Sequence, residues 1–285
     1  MLAKTSMIAC AVIGTTLLAG RAHAQLEPEP KPLEPATGET AGHAEDHAGG
    51  MERLTLPKGR LLLEAFLEIN LSTDLVGKPI SLSPDLWYGY DDKITIGLLH
   101  SGLGTTGFLG DPVHSLCLSG TSSGCNDVYR NVALEGRYQL QDRAFGFGWA
   151  AAGGLEVVNL SNPFELSVKL GAVGRWHQGL LAIEVQPSLV LALTERDTNN
   201  DELLLPITGL YELTPVISVS AQIGVVLPFE HTGDAYRVPL SLGGHYHVNE
   251  SLGVTLAFSL PFLITGAPVG GFDGRSLILG GTYAF

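Results

Sequence analysis

Charge is scarce in this chain. Only 16% of its 285 residues are charged, against ~25% in ordinary soluble domains. Bases are scarcer still, with Lys+Arg at 16 and Asp+Glu at 29. That balance excludes nucleic acid as a partner, because phosphate binding needs a basic footprint. Cysteine is limited to Cys10, Cys117 and Cys125. Beyond the N-terminus there is no apolar run of the ~18 residues that a transmembrane helix requires. The positive mean hydropathy of +0.23 therefore has another source. No Gly-x-Ser-x-Gly, phosphate loop or Cys/His zinc spacing occurs, so no cofactor or metal is expected.

The first 24 residues carry Lys4, an apolar run from Met7 to Leu18, and Ala22-His23-Ala24. This is the layout of a cleaved export signal. Residues 25–58 alternate Pro with mostly acidic residues, then turn to Gly, Ala, Glu and His. They read as a disordered acidic tail. His43 and His47, beside Glu45 and Asp46, fit a solvated tail better than a metal site. In an exported chain, Cys117 and Cys125 read as a local disulfide.

From residue 59 onward, hydrophobicity alternates with period two, the mark of a strand with two unlike faces. Twelve such segments are legible: 61–71, 80–90, 94–100, 128–141, 145–157, 164–177, 181–194, 203–213, 217–227, 236–248, 252–262 and 275–285. Most are longer than soluble strands and match the ~9–11 residues of a tilted membrane-crossing strand. Tight links follow the even-numbered segments, at 91–92, 142–143, 178–179, 214–215 and 249–250. Longer loops follow the odd-numbered ones, the longest at 102–127. Short turns at one end and long loops at the other describe an up-and-down barrel with short periplasmic turns. Tyr88, Tyr90, Tyr138, Trp176, Tyr211, Tyr246, Tyr283 and Phe285 fall in the apolar parity near the short-turn end. Phe145, Phe147 and Trp149 join them, and the set predicts an interfacial girdle. The expected fold is thus an all-β, closed, antiparallel transmembrane barrel of about twelve strands over 59–285.

The last strand, Leu277-Ile-Leu-Gly-Gly-Thr-Tyr283-Ala-Phe285, resembles the C-terminal assembly signal of Gram-negative outer-membrane β-barrel proteins. The resemblance implies residence in the outer-membrane bilayer and insertion by the barrel-assembly machinery.

The opposite parity is small and polar, with Gly97, Ala150, Ala152, Gly224, Gly243 and Ala257 leaving space inside. Twelve charges share it: Glu64, Glu68, Asp85, Glu135, Arg137, Glu156, Glu165, Lys169, Arg175, Glu184, Glu212 and Arg237. They predict either a water-filled lumen that favours cations or a network of ion pairs filling a narrow barrel. Glu135 with Arg137, or Glu165 with Lys169, are candidate pairs. His177, His245 and His247 are expected near the short-turn mouth as lumen histidines. His100-Ser101 is no catalytic pair by itself, since adjacent strand residues point to opposite faces. The function expected is passage of small solutes. A structural or adhesion barrel is the alternative, and a lipid-modifying enzyme the third. The oligomeric state is not legible.

Overall fold

The computed structural model describes residues 54–285 apart from 73–77, 112–115, 121, 123–124, 126, 145, 231 and 268–269. The export signal, its cleavage point, His43 and His47 and Phe145 lie outside the described residues.

Among the described residues, fourteen strands and two four-residue helices follow one another. The wall begins with β1 (Leu61–Asn70), β2 (Ile80–Asp91) and β3 (Ile94–Leu99). Helix α1 (Gly102–Thr105) and the two-residue β4 (Leu116–Cys117) interrupt it. It resumes with β5 (Val132–Ala144), β6 (Phe147–Asn159), β7 (Glu165–Gln178), β8 (Leu181–Val185), β9 (Ser188–Ala192), β10 (Glu202–Thr214) and β11 (Ile217–Pro228). After α2 (Thr232–Ala235) come β12 (Arg237–His247), β13 (Leu252–Thr265) and β14 (Ser276–Ala284). Every wall pairing is antiparallel, and β1 pairs with both β2 and β14. The sheet therefore closes on itself. Phe285 seals the seam by donating its backbone N–H to Leu61 O at 2.9 Å. Closure satisfies every edge amide in a medium that offers no water.

Strands β8 and β9 are two halves of one wall strand, and both pair β7 on one side and β10 on the other. Pro187 lies in the gap, where it lacks the N–H that the ladder would use. Counted this way, and with β4 set aside, the wall has twelve strands. Four of the five tight links sit one to three residues from their expected positions, and the link between β12 and β13, 248–251, contains the expected 249–250. The turn after β7, for example, is Gly179-Leu180, with Gly179 at φ 60°, a conformation that favours glycine.

The two faces separate by parity. Along β2, Ser81, Ser83, Asp85 and Trp87 point inward and are buried. Leu86, Tyr88 and Tyr90 point outward and are exposed. At the short-turn end, Tyr138, Phe147, Trp149, Tyr211, Tyr246 and Tyr283 are exposed in the same way. An exposed band of Leu, Ile and Val edged by such rings is what acyl chains and headgroups solvate. No helix among the described residues is long and apolar enough to cross a membrane. A barrel without free edges should also resist detergent until heated. Unboiled protein is expected to run faster than boiled protein on a denaturing gel, and identical mobilities would contradict closure.

Candidate functional site: a lumen filled by its own chain

The site begins where β3 ends. Asp85, buried on β2, accepts the backbone N–H of His100 at 2.6 Å and of Ser101 at 2.8 Å, and also the Ser101 hydroxyl. These bonds draw the chain off the wall after Leu99 and into the barrel. Ser101 then caps α1, its Oγ accepting from Gly104 N at 2.9 Å. The chain returns at β4, which pairs with Ser81 and Leu82 of β2 and bridges to Tyr129. Thus β4 takes the position that a longer β3 would have held. A disulfide joins Cys117 to Cys125 at a Cα separation of 6.3 Å.

Between these points residues 101–111 cross the lumen and touch walls on every side. Phe108 is buried against Val190, Leu204 and Val226. Leu103 and Leu109 pack on Phe66, Ala257 and Ile278. Gln222 donates to Gly107 O at 2.9 Å and accepts from Leu109 N at 2.8 Å. The hydroxyls of Ser241 and Ser259 both donate to Leu109 O, at 2.8 and 3.0 Å. Arg237 holds Asp111 with two bonds of 2.7 and 2.9 Å, the planar fork that suits a carboxylate. Lys169 donates to Gly104 O at 3.3 Å while its ammonium pairs with Glu135 at 2.8 Å.

A second segment enters from the short-turn end. Residues 54–57, which the sequence assigns to the tail, lie inside the barrel. Leu54 is buried against Ala150 and Val173, with Ala152 beside them. Leu56 N donates to Thr95 Oγ1 at 2.7 Å, and Leu54 N to Gln139 Oε1 at 3.3 Å. The small inward residues are thus sockets for inserted chain. Ala150 and Ala152 receive Leu54. A methyl at Gly224 would stand 2.6 Å from the Phe108 ring. Gly110, at φ 72°, passes Ser259 and Ile278 too closely for any side chain.

A cavity of about 320 Å³ remains between the two inserted segments. Leu56 and Leu103 border it from the two segments, and Glu64, Trp87, Arg137 and Arg175 from the wall. Trp87 donates its indole N–H to Glu64 at 3.2 Å, and the Arg137 guanidinium lies 4.3 Å from the ring centre.

The twelve inward charges are all on the inner face, but they are not equivalent. Glu135 is gripped by Arg137 at 2.9 Å and by Lys169. Glu184 pairs with Arg175 and also accepts from Gln186. Glu165 does not pair with Lys169 and instead accepts from the Thr198 hydroxyl at 2.8 Å. All four bases are engaged with acids. Glu64, Glu68, Glu156 and Glu212 have no ion-pair partner among the described residues. His245 stands between Ser220 at 3.0 Å and Thr255 at 2.9 Å. His247 is exposed on the same strand, and His177 is on β7, four wall strands away, so the three do not converge. No group of ligand residues that could hold a metal occurs among the described residues. His100 faces outward, bonded to Pro84 O at 2.5 Å and Tyr129 OH at 2.9 Å. It makes no contact with the Ser101 hydroxyl, which is spent on Asp85.

Sequence reasoning passed over Trp87, Asp111 and Phe108. Trp87 shares the parity of Asp85 and was legible on that ground. Nothing local marks Asp111 or Phe108, whose partners are more than eighty residues away.

The twelve-strand closed wall matches solved structures in its fold. A KdgM porin superposes with a TM-score of 0.52 at 8% identity, covering 79% of this chain and 99% of that one. A NanC porin gives 0.53 at 7% identity, covering 78% and 98%. The chain has the fold of an outer-membrane β-barrel. No family model and no curated protein matches it. At these identities the likeness is one of fold, and the barrel's chemistry must be read from its own lumen.

Proposed function

We propose that the barrel is an outer-membrane channel for small solutes, with a mild preference for cations and with its short-turn end in the periplasm. The observation that carries this reading is the imbalance of the lumen. Among the described residues every inward base is neutralised by an acid, while several inward acids have no counter-ion. In a narrow, low-dielectric tube that surplus draws cations in. A KdgM porin has been solved with disordered oligogalacturonate, a polyanion. The surplus of carboxylates here suits the opposite charge. Residues 101–111 and 54–57 set the width of the path.

Purified barrel in planar bilayers should conduct, with a reversal potential in a KCl gradient that favours K⁺. Glu64→Gln with Glu68→Gln should move that potential toward zero. Each lost carboxylate weakens the focusing field, so the direction of the shift is fixed by sign. A chloride preference in the parent protein would overturn the cation reading.

A second reading has its own observation. The crossing segment makes contacts on all sides, as a permanent plug would. On that reading the barrel is structural and presents its long loops outside. Folded protein that never conducts, even after residues 101–111 are loosened, would establish it.

A further inference from the structure

We infer that the cavity between the two inserted segments is a binding site for a small zwitterion carrying a carboxylate and an ammonium, such as a free amino acid. The inference deepens the channel reading by naming the solute class, and it stands on Trp87 and what surrounds it. The indole holds a carboxylate on its edge, through the 3.2 Å bond from Nε1 to Glu64, and a guanidinium on its face, with Arg137 at 4.3 Å. One rigid ring therefore fixes an acid and a base beside the same cavity. Neither is saturated. Glu64 accepts only the indole N–H, and Arg137 donates only through Nε, to Glu135 at 2.9 Å, among the described residues.

The other charges at the cavity are spent. Asp85 is filled by two backbone N–H groups and a hydroxyl, and Glu184 by Arg175 and Gln186. The open groups are thus one of each sign. A guanidinium offers paired N–H donors to a carboxylate, and a carboxylate offers acceptors to an ammonium. A sugar would need a bare aromatic face to stack on. Trp87 has none, since Arg137 covers one face and Gly97 approaches so closely that a methyl there would lie 2.5 Å from the ring. The volume of about 320 Å³ is at the small end of ligand cavities, which run from about 300 to 1,000 Å³, so an oligomer does not fit.

The test uses the folded full barrel in detergent, with Trp fluorescence as the readout. L-alanine is the probe, and propionate, ethylamine and glucose are the comparisons. Alanine should give a saturable change, and the other three much weaker ones. Arg137→Gln and Glu64→Gln should each weaken alanine binding by about ten-fold or more, the loss expected for one charge-assisted contact. Heat-dependent gel mobility checks that each variant is folded, and Arg137→Lys should restore part of the binding. Propionate binding as tightly as alanine would make the site an anion site and overturn the proposal, as would ethylamine doing so, or no saturation with alanine. Conductance of the same preparations separates the two readings. Conduction without alanine binding sinks only this inference, whereas binding without conduction sinks the channel.

Discussion

Arg237→Ala should release residues 101–111 from the lumen and raise single-channel conductance several-fold. Asp111 is 1% exposed and its ion pair is with Arg237. Deleting one partner of a buried pair leaves an uncompensated charge, at a cost of about 3–5 kcal/mol. The wall does not need that contact, because β12 keeps its ladders to β11 and β13. The crossing segment does need it, so the cost falls on the docked state of residues 101–111. Moving Asp111 into water relieves the penalty and opens the path. Gly224→Val should act in the same direction by a different physical route. A Cβ there would stand 2.6 Å from the Phe108 ring and 2.3 Å from the Leu205 backbone oxygen of β10, so the variant displaces the ring but also presses on the wall, and its gel mobility must first show a closed barrel. Two unrelated changes with one outcome would identify the segment as the barrier. If both variants fold and conduct no more than the parent, the segment is not what limits passage.

The largest effect on stability is expected on the outer face. Leu170 lies near the middle of β7, points outward and is 53% exposed. In a soluble protein such a residue would tolerate a charge. In a barrel solvated by acyl chains, Leu170→Arg should cost about 2–4 kcal/mol, while the same change near a membrane interface costs roughly 0–1 kcal/mol. Leu213, 55% exposed beside the turn after β10, supplies the comparison. Unfolding by urea in lipid vesicles should rank Leu170→Arg well below Leu213→Arg in stability. Equal costs at the two depths would mean that hydrocarbon does not surround the wall.

The barrel itself was legible because a membrane wall imposes strict local rules. Each strand must alternate, each outward residue must suit lipid or interface, and each turn must be short on one side. Those constraints act residue by residue, as in Leu86-Trp87-Tyr88 or along Tyr283 to Phe285, so period and parity reveal them. The broken strand at 181–194 was less legible, because its alternation runs through Pro187 undisturbed. Parity is set by side chains, whereas the break is set by a missing N–H.

The contents of the lumen were not legible. Small residues on the inner face are compatible with water or with inserted chain, and both ask for the same pattern. Ala150, Ala152 and Gly224 read as free space, yet they receive Leu54 and Phe108. Charge patterning had the same ambiguity. Twelve inward charges could be listed from parity, but Lys169 turns to Glu135 rather than to Glu165 because β5 and the crossing segment bring Glu135 and the Gly104 carbonyl to one point.

The sequence alone therefore determined the wall: its sidedness, its strand count and its closure, all consequences of short-range periodicity in a medium without hydrogen-bond partners. Only the tertiary structure decided what the wall encloses. Contacts such as Asp111 with Arg237 join residues far apart in the chain, and no local pattern encodes which of many inward groups a re-entrant loop will meet.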